Sequence, residues 1–165
     1  MPAINLTDHG LAVLAQPDEA QLQELAAAGV RTVINLRNDG EDMQPMSVQD
    51  EGTLCKQLGM DYVNLPVSMK TPEDGGADAK LATAFETVLA VARETGPVAV
   101  HCKLGQRAGA MVLIALARHR GWDAERALAE ADRLGLAGVH DHPKLTRYVS
   151  ACLAGPRRDD RPRGS

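Results

Sequence analysis

The chain has 165 residues, 44% hydrophobic and 24% charged, and its 22 acidic against 18 basic side chains give a formal charge of −4. A chain of this size buries roughly 70% of its unfolded surface on folding, so one core without metal or disulfide staples is expected. Only 2% of residues are aromatic and there is no basic excess, which excludes an extended nucleic-acid surface; no apolar run nears the ~20 residues of a membrane helix. Cys55, Cys102 and Cys152 are widely spaced, with neither a disulfide framework nor zinc-ligand spacing around them. The opening MPAINLTDHG has no basic-then-apolar leader pattern, so a cytoplasmic location is expected.

Leu11 to Ala15 reads as a short strand, and Asp18 with Gln21 resembles a capping box for a helix that buries Leu22, Leu25 and Ala26 and stops at Gly29. Thr32 to Leu36 is β-branched and apolar, as a strand covered on both faces should be, and Arg37-Asn38-Asp39-Gly40 follows as a turn. Ser47 with Asp50 opens a second helix closed by Gly59; Tyr62 to Leu65 is the next strand, and Pro66 to Asp78 a long polar loop. A helix from about Ala79 to Glu94 turns Phe85, Val88, Leu89 and Ala92 inward, and Val98-Ala99-Val100 is a central strand. Helices follow from Arg107, over Asp123 to Leu134 and over Pro143 to Leu153, the last two separated by the glycine-rich Gly135 to Gly138. Alternating strands and helices predict a single α/β domain over residues 1–154, with a mostly parallel central sheet flanked by helices. Residues 155–165, rich in charge and proline, are expected to be a disordered tail.

This order places His101 to Arg107 between the carboxyl end of a buried strand and a helix amino terminus, where open α/β sheets bind ligands. The free amides and dipole of that terminus favour an anion. Cys102 beside them, with Lys103 and Arg107 near, is expected to be a thiolate. Gly105 lets the loop amides converge into an oxyanion nest, and the planar fork of Arg107 matches two oxygens of a phosphate.

The run H-C-K-L-G-Q-R-A-G-A resembles the active loop of the cysteine-dependent phosphatase superfamily, and most closely that of the bacterial beta-lactamase-hydrolase-like, phosphatase-like family, which is protein tyrosine phosphatase-like. Gln16-Pro17, Gly29 to Arg37 with Glu41, Leu58-Gly59-Met60, Leu65-Pro66-Val67, Gly121-Trp122 and Ala127-Leu128 extend the likeness over residues 10 to 152. It implies a dual-specificity-phosphatase-like fold and hydrolysis of a phosphomonoester, on a protein or a small molecule, without a cofactor or metal. Cys102 would be the nucleophile, Arg107 the oxyanion binder, and His101, Lys103, Leu104, Gly105 and Gln106 the cradle, with His101 orienting the loop. The leaving-group acid would come from Glu73, Asp74 or Asp78, with Asp74 preferred for its distance from the loop.

Two departures keep other chemistry open. Four residues separate Cys102 from Arg107, one fewer than in tyrosine and dual-specificity phosphatases; rhodanese-type sulfurtransferases, which carry sulfane sulfur as a persulfide, also have a shorter loop. Ala108 stands where those phosphatases place a hydroxyl that assists breakdown of the phosphoenzyme. The alternatives are therefore a sulfurtransferase or a non-catalytic oxyanion binder. Of the other residues, Cys55 and Cys152 are expected to be core thiols, Arg37 and Glu41 an ion pair or substrate contacts, His140 and His142 solvated residues, and Met43, Met46, Met60, Met69 and Met111 gap-fillers. Scarce aromatics argue against a strict preference for a phosphotyrosine ring.

Overall fold

Four short runs become strands because each is hydrogen-bonded on a neighbour, and the two central ones, Thr32–Asn35 and Val98–His101, are buried at every residue. The computed structural model describes residues 10–67, 76–139 and 141–154. In chain order it has β1 (Leu11–Leu14), α1 (Glu19–Ala27), β2 (Thr32–Asn35), α2 (Val48–Gln57), β3 (Asp61–Asn64), α3 (Gly76–Thr95), β4 (Val98–His101), α4 (Gln106–Arg120), α5 (Ala124–Ala131) and α6 (Pro143–Leu153), with a 3-10 turn at Ala137–Val139. The strands form one parallel sheet in the order β1-β4-β2-β3.

Side-chain alternation along each strand divides the core in two. Leu11, Ile34, Val98 and Val100 pack with Phe85, Leu113 and Tyr148 on the α3, α4 and α6 face. Ala12, Val33 and Ala99 pack with Leu22, Leu25 and Cys55 under α1 and α2. Crossovers moving from β1 through β2 to β3 carry their helices on one face, and the return to β4 carries α3 on the other, the distribution right-handed connections require. The axis of the larger layer is α4, in which every residue from Ala108 to Ala117 is buried. Among the described residues, no helix is long and apolar enough to cross a membrane.

The expected caps form. Asp18 Oδ1 accepts from Gln21 N–H at 2.8 Å while the Gln21 side chain accepts from Asp18 N–H at 2.8 Å, a reciprocal box, and Ser47 Oγ accepts from Asp50 N–H at 3.0 Å. Cys55 and Cys152 are buried thiols, as expected, and burial with the charge of Glu51 pushes Cys55 up to about 12. Two readings change. Helix α3 begins at Gly76, so Asp78 lies in its first turn and not in a loop. Met43 fills no gap: it is 84% exposed with a φ of 60°. The tail, Met69 and His140 lie outside the described residues.

Leu113 is wholly buried at the centre of α4. Leu113→Ala is expected to lower the unfolding free energy by about 2–5 kcal/mol in urea titrations; a loss below about 1 kcal/mol would mean that this layer is not close-packed.

Candidate active site

Because β4 lies between β1 and β2, the residues that follow these strands meet at one edge of the sheet. Backbone bonds hold them in register beyond the strand ends. Gln16 N–H donates to Lys103 O at 3.0 Å, Cys102 N–H to Leu14 O at 3.4 Å, Leu36 N–H to His101 O at 2.9 Å and Val67 N–H to Leu36 O at 2.8 Å.

From β4 the chain turns through Cys102 to Gly105, whose φ of 89° lies in the left-handed region. A Cβ there would be strained, and would sit 3.5 Å from the Ala15 nitrogen and the Leu14 carbonyl carbon. The turn brings Gly105 N–H to 3.1 Å and Ala108 N–H to 3.5 Å from Cys102 Sγ. Two loop amides thus point at one sulfur.

Arg107 is fixed more firmly than its sequence suggests. Its Nη2 donates to Glu41 Oε1 at 2.7 Å, and its Nη1 to Glu41 Oε2 at 3.0 Å and to Val67 O at 2.9 Å. The end of the fork thus grips a carboxylate of the protein. Guanidinium has five N–H groups; among the described residues these hydrogen bonds use three, and Nε–H and one Nη2–H form a second parallel edge. Cys102 interacts with this guanidinium, and the Glu41 hydrogen bonds, opposed by burial, strengthen its hold on its proton.

Glu41 bridges two arginines. Besides Arg107 it accepts from Arg37 Nε at 3.2 Å, and from Asn38 N–H at 2.6 Å and Nδ2 at 3.2 Å. The Arg107 hydrogen bonds outweigh partial burial and, with those of Asn38, hold its carboxyl at about 2.

Arg37 has no exposed surface. It also donates from Nη1 to Gln16 Oε1 at 2.9 Å and from Nη2 to Asp42 O. Gln16 Nε2 in turn donates to Glu51 Oε1 at 2.7 Å, and Glu51 Oε2 lies 2.7 Å from His101 Nε2. His101 Nδ1 is 3.2 Å from the Cys102 carbonyl. Since His101 is 0% and Glu51 1% exposed, His101 stands behind the loop. The expectation that it belongs to the ligand-contacting cradle is corrected: strand β4 turns its ring into the buried polar layer. The same burial removes Arg37 as a substrate contact.

A cavity of about 350 Å³ opens over Cys102 and is bounded by Glu41, Lys103, Leu104, Arg107, His142 and Leu145 among others. The structure thus brings Cys102, Lys103, Leu104, Gln106 and Arg107 together, while Gly105 shapes the loop from below. Leu104, 69% exposed, forms the lip. Glu73 and Asp74 lie outside the described residues. His142, expected to be a solvated helix-entry residue, stands at the N-cap position of α6 without a side-chain cap bond but is half-buried against the cavity, and its Nδ1 is buried without a hydrogen-bond partner among the described residues. Glu51 was not singled out by the sequence reading, although a carboxylate one turn from Cys55 on the inward face of a helix is a readable signal.

Residues 4–119 match the phosphatase-like domain of beta-lactamase hydrolase-like proteins. The chain belongs to this family. A beta-lactamase hydrolase-like protein of Agrobacterium fabrum is 38% identical over 109 residues, which are 66% of this chain and 23% of that protein. The phosphatase-like chain therefore spans less than a quarter of this relative's length. Among solved structures, a DUF442 phosphatase of Shewanella putrefaciens is 26% identical, with a TM-score of 0.68 over 92% of this chain and 89% of that one. TpbA of P. aeruginosa in complex with pTyr is 26% identical, with a TM-score of 0.65 over 90% of this chain and 85% of that one. The fold is that of tyrosine-phosphatase-like proteins.

The lowered value of Glu41 fixes the sign of an acid dependence. A carboxylate held at about 2 against an ordinary 4.5 contributes stability that is fully present above about pH 4.5 and is lost as pH falls toward 2. The difference in unfolding free energy between wild type and Glu41→Gln should stay constant above about pH 5 and shrink below it. A difference independent of pH would contradict the Arg107 and Asn38 bonds.

Proposed function

We propose that the chain hydrolyses phosphomonoesters through a Cys102 thiophosphoryl intermediate. The observation that supports this most directly is the convergence on one sulfur of the Gly105 and Ala108 amides and of an arginine whose fork is already aligned by Glu41. Cys102 attacks phosphorus as a thiolate, and the bond to the leaving oxygen breaks. The equatorial oxygens take the loop amides and the Nε/Nη2 edge of Arg107, donors fixed before the charge develops. Asp74 gives its proton to the leaving oxygen; water then attacks phosphorus, Asp74 takes the proton, and the phosphorus–sulfur bond breaks to return the thiolate.

No Phe, Tyr or Trp stands among the described residues bounding the cavity. The reading therefore extends to phosphomonoesters in general, on proteins or small molecules, with phosphotyrosine as one case. Ala108 is wholly buried under the sulfur and brings an amide but no hydroxyl, so breakdown of the intermediate is the slower step.

Stopped-flow hydrolysis of p-nitrophenyl phosphate should show a burst followed by slow turnover, and Cys102→Ser should abolish both. Turnover surviving that substitution would overturn the assignment of the nucleophile. Parallel thiosulfate and cyanide assays should give little thiocyanate; thiocyanate exceeding phosphate would replace the hydrolase by a sulfurtransferase, and oxyanion binding with neither product by a binder. Asp74→Asn should slow turnover about 10²–10⁴-fold with substrate binding retained, and more than Glu73→Gln or Asp78→Asn. Equal, negligible effects would move the acid elsewhere.

A further inference from the structure

We infer that Gln16 and Glu51 are positioning residues of this site, joining a hydrogen-bonded circuit that runs from the Cys102 carbonyl to the Arg107 guanidinium and sets that guanidinium relative to the Cys102 sulfur. The effect on turnover rests on the phosphatase reading; the effect on oxyanion binding does not.

The circuit leaves the nucleophile through its own carbonyl, 3.2 Å from His101 Nδ1, and passes from His101 Nε2 to Glu51 Oε2 at 2.7 Å. Gln16 joins Glu51 at 2.7 Å to Arg37 at 2.9 Å. Arg37 and Arg107 then share Glu41 at 3.2 and 2.7 Å, and Arg107 lines the same cavity as Cys102. Its members come from the segments at the ends of three strands, from α2 and from the first turn of α4, so the circuit ties separate elements together.

Gln16 is its polarity-setting link. One amide faces a cation through its oxygen and an anion through its nitrogen, and no hydrocarbon or acid can do both. The Tyr62 hydroxyl, which accepts from Asn35 Nδ2 at 2.9 Å, interacts electrostatically with Glu51. With Gln16 removed, Arg37 and Glu51 each lose a partner in a region without water, and the first accessible adjustment is movement of the Glu41 and His101 side chains that hold the two reactive groups. A misplacement of about 1 Å can cost 10²-fold in rate.

The test is a double-mutant cycle with Gln16→Leu and Glu41→Gln, residues separated by Arg37, read in three ways: tungstate affinity, kcat and KM for p-nitrophenyl phosphate, and melting temperature. Each single variant should weaken tungstate binding and kcat about tenfold, with KM changed less than kcat. In one circuit, the double variant should fall within about threefold of the more severe single; independent sites would multiply to about 100-fold. Multiplicative losses, or a Gln16→Leu protein that binds and turns over like wild type, would overturn the circuit. Should Gln16→Leu fail to fold, Gln16→Met, which keeps the side-chain length, takes its place in the cycle. A wild type that binds tungstate without turnover defeats the phosphatase reading and leaves the affinity cycle to decide the circuit; a wild type that binds none overturns both.

Discussion

The arrangement depends on one guanidinium that water cannot reach. Arg37 has no exposed surface, and a buried charge persists only where its donors are met by acceptors of fixed position. The acceptors are Glu41, Gln16 and the Asp42 carbonyl. Satisfying Arg37 therefore determines how the segment after β1 and the loop after β2 sit against each other. That loop carries the carboxylate that holds Arg107, so the geometry of the cavity follows from the solvation needs of a residue that never faces it.

Charge around the cavity is organised locally. The chain is acidic overall, yet the cavity concentrates donors: loop amides, Lys103 and Arg107. Glu41 places a negative charge beside them without cancelling the site, because it lies between two guanidiniums and aligns one. Net charge describes the encounter with a distant anion, whereas capture depends on donors within a few ångströms.

Most of the fold was legible because its signals are short-range. Asp18 with Gln21, Ser47 with Asp50, and the β-branched run from Thr32 state their structure within a few residues. Cys102, Gly105 and Arg107 were legible for the same reason: the loop that gathers them is seven residues long from His101. The partner of Arg107 was not, since Glu41 meets it across 66 positions, and its pairing with Arg37 at four residues' separation looked sufficient by itself. The direction of the His101 ring was hidden likewise. It follows from the pleat of β4 and from Glu51, a residue of another crossover 50 positions away. His142 entered the cavity through the packing of α6 on α4, which no local pattern records.

Gly105 starts α4 without a side chain to receive its free amides, and the atom that receives one of them, at Ala108, is the Cys102 sulfur. The sulfur thus occupies the role that a serine or aspartate oxygen fills at ordinary helix starts. An oxyanion held by the same amides would take over as the terminus of a helix whose next ten residues are buried. Occupancy of the cavity and integrity of the core are then two readings of one equilibrium: a ligand stiffens the helix by standing in for a cap, and any chemistry that takes the sulfur away from its amides loosens the helix from its first turn.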